Sequence, residues 1–339
     1  AAVLAALLLI LASRGQPSWS CAMAAAALVT LTWHAVGWRL QPRTDVFTLL
    51  GLAVELGWLG ACERRARPIH PWLLPVGSAI WVNLHRGVTA GLAVLMLSLV
   101  VWLLFKETRR LGRALLPWTG LALLAATVNP GGLRSLLDGY RLMHEPAFYG
   151  HLPEWRAADW HFLFVEHPMI GLAFAALPVA WASRVIARWR RASSSRGGTE
   201  SSTMASRLTA MLQCALERED LVAAACVALA LSSVRFSALG VIGCVPPLAR
   251  AAAQLLEMAG RPLSAWARPG VWTWLVSAGA TASIGSSYFD SNPPALWGLG
   301  VADHQLPVAA AQFLANNPPP GAMYNSFRLG GYLLYALAP

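Results

Sequence analysis

Three strong hydrogen-bonding groups, Asn83, His85 and Arg86, stand together in IWVNLHRGVTAGL, a stretch flanked on both sides by apolar residues. The forked donors of an Arg match a phosphate, and Asn and His match hydroxyls, so the trio has the chemistry of an anion or sugar site. On a helix, Asn83 and Arg86 would share a face. Trp81 has the residue type that settles at a membrane interface. Gly87 and Gly91 have the spacing that lets a neighbouring helix approach closely. The plain alternative is a helix-hairpin turn with solvated polar tips.

The stretch from Val128 to His161 is the second chemically rich one. Asn129-Pro130-Gly131-Gly132 ends a helix, and residues 132–161 read as an external loop. That loop carries Asp138, Glu145, Glu154 and Asp159 with His144, His151 and His161. Carboxylates with imidazoles offer a general base or a divalent-cation site, although no spacing matches a metal motif; a solvated amphipathic loop is the alternative. Glu154-Trp155 has the composition of a carbohydrate-contacting pair. Glu55 sits near the middle of an apolar run, where an ionisable group is a functional candidate or a protonated, hydrogen-bonded structural one. Arg235, in SSVRFS, and Asn325, in the tail, complete the set.

The elements that must position these groups are written in the composition. The chain has 339 residues, 56% hydrophobic and 12% charged, with mean hydropathy +0.50. Soluble domains carry roughly 25% charged residues, so the composition predicts an all-α polytopic membrane protein rather than a water-soluble domain. The net charge of +10 comes largely from Arg in short loops, which points to topology and not to nucleic acid. The five Cys form no CxxC pair and read as small packing residues. The chain opens at Ala1 inside an apolar run and stops after GGYLLYALAP, so it reads as a piece of a longer protein.

Ten apolar segments can be drawn, near 1–13, 20–38, 46–62, 69–84, 87–105, 114–131, 162–186, 220–234, 236–249 and 270–287. Several are short and contain Pro, as half-helices in a bundle do. Residues 63–68, 106–113, 184–198 and 250–268 are basic, and the positive-inside rule places them in the cytoplasm. Residues 39–45, the Asn83–Arg86 tip, the 132–161 stretch, Arg235 and the tail then share the opposite face. That parity requires a hairpin at 232–237. One continuous helix would instead bury Arg235 at a cost of about 2.5–3.5 kcal/mol.

This gives an N-terminal bundle half (1–186), a cytoplasmic linker (187–208), C-terminal transmembrane helices (209–287) and an extracytoplasmic segment (288–339). In that last segment Pro307 starts a helix, Asn316-Asn317-Pro318 stops it, and Gly330-Gly331 leads into a strand-like run. This predicts the start of a small α/β piece.

The order WVNLH, NPxG, EW, a turn Arg, PxxAxxFL and YNxxxxGGYL resembles that of bacterial C-type glycosyltransferases. These are related to the dolichyl-phosphate-mannose protein mannosyltransferases and the lipopolysaccharide-core glycosyltransferase-like proteins. The resemblance covers most of residues 40–339. It implies an inner-membrane enzyme that moves a sugar from a polyprenyl-phosphate donor on the extracytoplasmic face, often with a divalent cation (Mg or Mn). It also implies a catalytic Asp in a first external loop, which would precede Ala1, leaving Glu154 as the carboxylate for the acceptor hydroxyl. Arg86, Arg235 and His85 would offset leaving-group charge, with Asn83, Asn129, Trp155 and Asn325 contacting substrate. The relatives usually read NLHGG where this chain has Arg86 before Gly87. A transporter or flippase of a lipid-linked or anionic substrate, and a non-catalytic assembly protein, are the competing classes.

Overall fold

The computed structural model describes residues 45–144, 153–194, 217–258, 307–321, 332–333 and 335–337. The described residues are mostly helical and include no strand. The chain divides into two compact units, residues 1–281 and 282–339.

In the first unit, α1 (Asp45–Arg64), α2 (Leu73–Leu84), α3 (Val88–Leu104), α4 (Arg109–Ala125) and α5 (Gly132–His144) follow one another. A 3-10 turn (Pro153–Trp155) and a π-helical turn (Phe162–Glu166) then lead into α6 (Pro168–Ser194). Next, α7 (Arg218–Ser232) and α8 (Ser237–Met258) flank a 3-10 turn at Val234–Phe236, so this region is the expected hairpin. Seven of the ten drawn segments thus coincide with helices; the segments near 1–13, 20–38 and 270–287 lie outside the described residues.

Three helical stretches, Asp45–Arg64, Pro168–Ile186 and Val234–Ala252, are long and apolar enough to cross a membrane. α1 has 20 residues, about 30 Å at ~1.5 Å per residue, and carries Asp45 in its first turn and Arg64 in its last, as the helix dipole favours. The third stretch is 83% buried against 33% for the second, which makes α8 the central helix. Leu239, Ile242 and Val245 of α8 form the core with Val222 and Cys226 of α7 and Leu52 and Leu56 of α1.

Two expectations need correction. Residues 132–161 are not one loop, because Gly132–His144 is a helix. Asn129 Oδ1 accepts the Gly131 N–H at 2.9 Å and turns the chain directly into it. Of the expected linker 187–208, residues 195–208 lie outside the described residues. α6 runs on to Ser194, and its Ala173, Leu177 and Ala180 pack on Cys244, Leu248 and Ala251 of α8. In the second unit, α9 (Val308–Asn316) starts after Pro307 and ends at Asn317 as expected. However, Tyr332, Leu333 and residues 335–337 are helical rather than strand-like.

The Gly87/Gly91 spacing has the expected consequence. A Cβ on Gly91 would stand 2.6 Å from Glu55 Oε2 of α1 and from the Trp81 indole of α2, and one on Gly87 would overlap Thr48 of α1. Thr48 and Glu55 are seven apart and share a face. Gly91→Val should therefore lower stability by about 1–3 kcal/mol through overpacking, read as a fall in the thermal midpoint of the full chain in nanodiscs. An unchanged midpoint would mean α1 and α3 do not meet there.

Candidate functional site

The tip between α2 and α3 is built by a break. α2 stops at Leu84 because His85 is extended (φ −159°, ψ 141°), with its N–H still bonded to Trp81 O. Arg86 therefore does not share a helical face with Asn83, contrary to expectation. The extension sends the His85 ring toward the start of α1. Its Nδ1 faces two donors, the Thr48 hydroxyl at 2.5 Å and the Gly87 N–H at 3.1 Å. That network assigns the ring proton to Nε2, which lies 3.1 Å from Asp45 Oδ1. Gly87 is needed here because any Cβ would come within 2.8 Å of His85 Nδ1.

The α7–α8 turn delivers Arg235 to the same carboxylate, with Nη2 at 3.3 Å from Asp45 Oδ1. Ser233 caps that turn by accepting the Arg235 N–H and donates its own hydroxyl to Glu154 O at 3.0 Å. Val234 N–H donates to Arg156 O at 2.9 Å, which fixes the Glu154 segment on the turn. Glu154 Oε2 is then 3.9 Å from Arg235 Nη1. The contacts Glu154–Arg235–Asp45–His85 form one chain.

They border a cavity of about 230 Å³ between α1, α3, α7 and α8. Leu49, Ala90, Ala93, Leu229, Phe236 and Leu239 are among the apolar residues that line it. The lining is mostly apolar, with Asp45, Thr48, His85 and Arg235 as its charged and polar side chains. Its volume is below the ~300–1,000 Å³ of sites that enclose drug-sized ligands.

Several expected contacts fall elsewhere. Trp155 is 8% exposed, with Arg235 5.1 Å over its ring centre and Phe236 edge-on, so its indole has no open face for a sugar. The Asn129 amide bonds Ala126 O, Gly132 O and the Gly131 N–H, which makes it the turn's own fastener. Asn83 Nδ2 donates to Ala79 O and Val128 O and ties α2 to the end of α4. Arg86 reaches Asp138 of α5 at 3.4 Å, and its side chain remains 60% exposed. Glu154 stands beside the cavity, outside its lining. Asp159 holds the π turn through Phe162 N–H, and His161 pairs with Glu166. Asn325 lies outside the described residues. Asp45 is the residue the sequence reading missed; it appears there only as the end of a loop.

A divalent cation does not suit these groups. Arg235 lies between Asp45 and Glu154, so a cation joining the carboxylates would meet the guanidinium. Among the described residues no three His, Cys, Asp or Glu gather to hold a metal.

A second ionic cluster, unforeseen in the sequence, closes the other end of the bundle. Arg218 bonds Glu63 at 3.0 Å and Glu219 at 3.3 Å; Arg250 bonds Glu217 and Glu219, each at 3.1 Å; Arg184 pairs with Asp220. Arg184, Arg218, Glu219 and Asp220 are all buried. Asp45 and Glu63 are 18 positions apart on α1, about 27 Å by helical rise. The two clusters thus sit at opposite ends of α1. The signal available was ERED, four charges opening an apolar run at 217.

Comparisons with protein-family models, with curated proteins and with solved structures return no match for this chain.

Proposed function

We propose that this chain is part of a bacterial inner-membrane glycosyltransferase of about ten transmembrane or half-helices, taking sugar from a polyprenyl-phosphate donor at the extracytoplasmic end. The observation that carries the reading is a largely apolar cavity whose lining includes Asp45, His85 and Arg235. A donor of this class is amphiphilic, with a polar head joined to an isoprenoid chain.

Asp45, in the cavity wall, is the carboxylate that takes the acceptor proton, in place of Glu154. His85 and Arg235 hold Asp45 through its Oδ1. Arg235 is already flanked by two carboxylates, so a phosphate gains little from it. Arg86 is 60% exposed and has an exposed ion pair worth only about 0–1 kcal/mol, so it exchanges Asp138 for the donor phosphate. Replacing its fork by Lys removes a charged hydrogen bond, about 1.5–3 kcal/mol or roughly ten- to a hundredfold in affinity.

The test is binding of a polyprenyl-phosphate hexose to the full chain in nanodiscs. Arg86→Lys should lose at least tenfold, and so should Ala90→Phe, which crowds the apolar lining. Parent-like binding by both would overturn the reading.

A transporter is the second reading, favoured by Glu55, which lies mid-span on α1 with Oε2 buried and without a hydrogen-bond partner among the described residues. Glu55→Gln separates the two, since sugar transfer survives it and carboxylate-coupled transport does not.

A further inference from the structure

α5 has a use that neither the cavity nor the ionic clusters require. Leu136 packs on the buried cluster of Val82, Val88, Leu92 and Ala126 at the α2–α3 tip. Leu133 and Leu137, one turn apart, are 62% and 47% exposed. Arg134 and Arg141 are seven apart, so they share a face, and both are exposed. At 100° per residue that face lies about a quarter turn from the leucine stripe. Asp138, the acidic residue of the helix, points to Arg86. The apolar exposure is continuous with α4, whose Leu121 and Leu124 lead through Val128 to the turn where α5 begins.

We infer that α5 lies on the membrane surface as an anionic-lipid clamp. Its leucines sit in the acyl boundary, and Arg134 and Arg141 reach up to lipid phosphates. A helix in the interface plane has this layout, with apolar side chains inward and basic ones at the flanks. The partner is the phosphate-bearing headgroup of a bilayer lipid. Leu136 seats that helix on Val82 and Val88 at the α2–α3 tip, so lipid held on α5 steadies the rim of the cavity. The inference rests on the bundle being membrane-embedded and is independent of sugar transfer.

The experiment uses the full chain with its five Cys replaced, reconstituted in nanodiscs and carrying one nitroxide at position 133, 137 or, as control, 54 in mid-α1. Collision rates with oxygen and with a water-soluble nickel chelate give the depth of each label. Labels at 133 and 137 should report the acyl boundary, shallower than 54. An aqueous label at 54 would overturn the membrane reading itself. An acyl label at 54 with aqueous labels at 133 and 137, or labels shielded from both quenchers as in a protein–protein contact, would overturn the surface helix alone.

The clamp is read separately by retention of phosphatidylglycerol over phosphatidylcholine in native mass spectrometry. Arg134→Gln with Arg141→Gln should lower that preference by about fivefold for each Arg, the equivalent of ~1 kcal/mol per basic side chain at an anionic surface. Arg134→Lys with Arg141→Lys should keep it. A Gln double variant that retains the preference, or a parent that shows none, would overturn the clamp.

Discussion

Arg184→Met should destabilise the bundle by about 3–5 kcal/mol, the largest single effect expected in this protein. Arg184 is fully buried, and its guanidinium pairs with Asp220, lies 3.9 Å from Glu217 and donates from Nε to Ala180 O at 3.1 Å. Removing it takes from Asp220, itself 7% exposed, its Arg partner in a place that water does not reach. The cost is the desolvation of a carboxylate that has lost its buried guanidinium, not the value of the pair. Replacing both charges should therefore restore most of the loss, and Arg184→Met with Asp220→Leu should be clearly more stable than Arg184→Met alone. The exposed pair Arg156–Glu166, 44% and 39% exposed, sets the scale, and Glu166→Gln should change stability by less than about 1 kcal/mol. Thermal midpoints of the four chains in nanodiscs check all of this. A single variant as stable as the parent, or a double no better than the single, would mean that the cluster does not hold α6 to α7.

That cluster shows where sequence reading stops. Apolar length and composition located the helices because burial in a bundle is a property of each segment; residues 46–62 became Asp45–Arg64 with little shift. The hairpin at Arg235 was legible for the same reason, since a mid-membrane Arg is costly wherever its partner lies. Partners themselves were not legible. Glu63 and Arg218 are 155 positions apart, and Asp45 and Arg235 are 190. No carboxylate lies within four residues of Arg86 or Arg235 in sequence, so neither Asp138 nor Asp45 is signalled locally. α5 was readable and missed, because Leu133, Leu136, Leu137 and Met143 repeat at helical spacing inside a stretch rich in charge. The covering of the Trp155 ring by Arg235 was not legible either, because composition gives the residue type and not its neighbours.

Asp45→Asn should abolish most sugar transfer and leave the fold intact. Asn keeps the size of Asp and an oxygen that accepts from His85 and Arg235, so the tip stays closed. It cannot take a proton, and a positioned general base is worth about 10²–10⁴-fold. Glu154 is 38% exposed and stands beside the cavity, so Glu154→Gln should cost less than about tenfold. The deciding measurement is the rate at which the full chain in nanodiscs releases polyprenyl phosphate from a saturating polyprenyl-phosphate hexose with an acceptor alcohol present. The parent should turn over. Asp45→Asn should fall by roughly a hundredfold or more while binding donor as the parent does. A parent that releases no polyprenyl phosphate, or an Asp45→Asn chain that releases it at the parent's rate, would contradict the assignment of this cavity as the site of transfer.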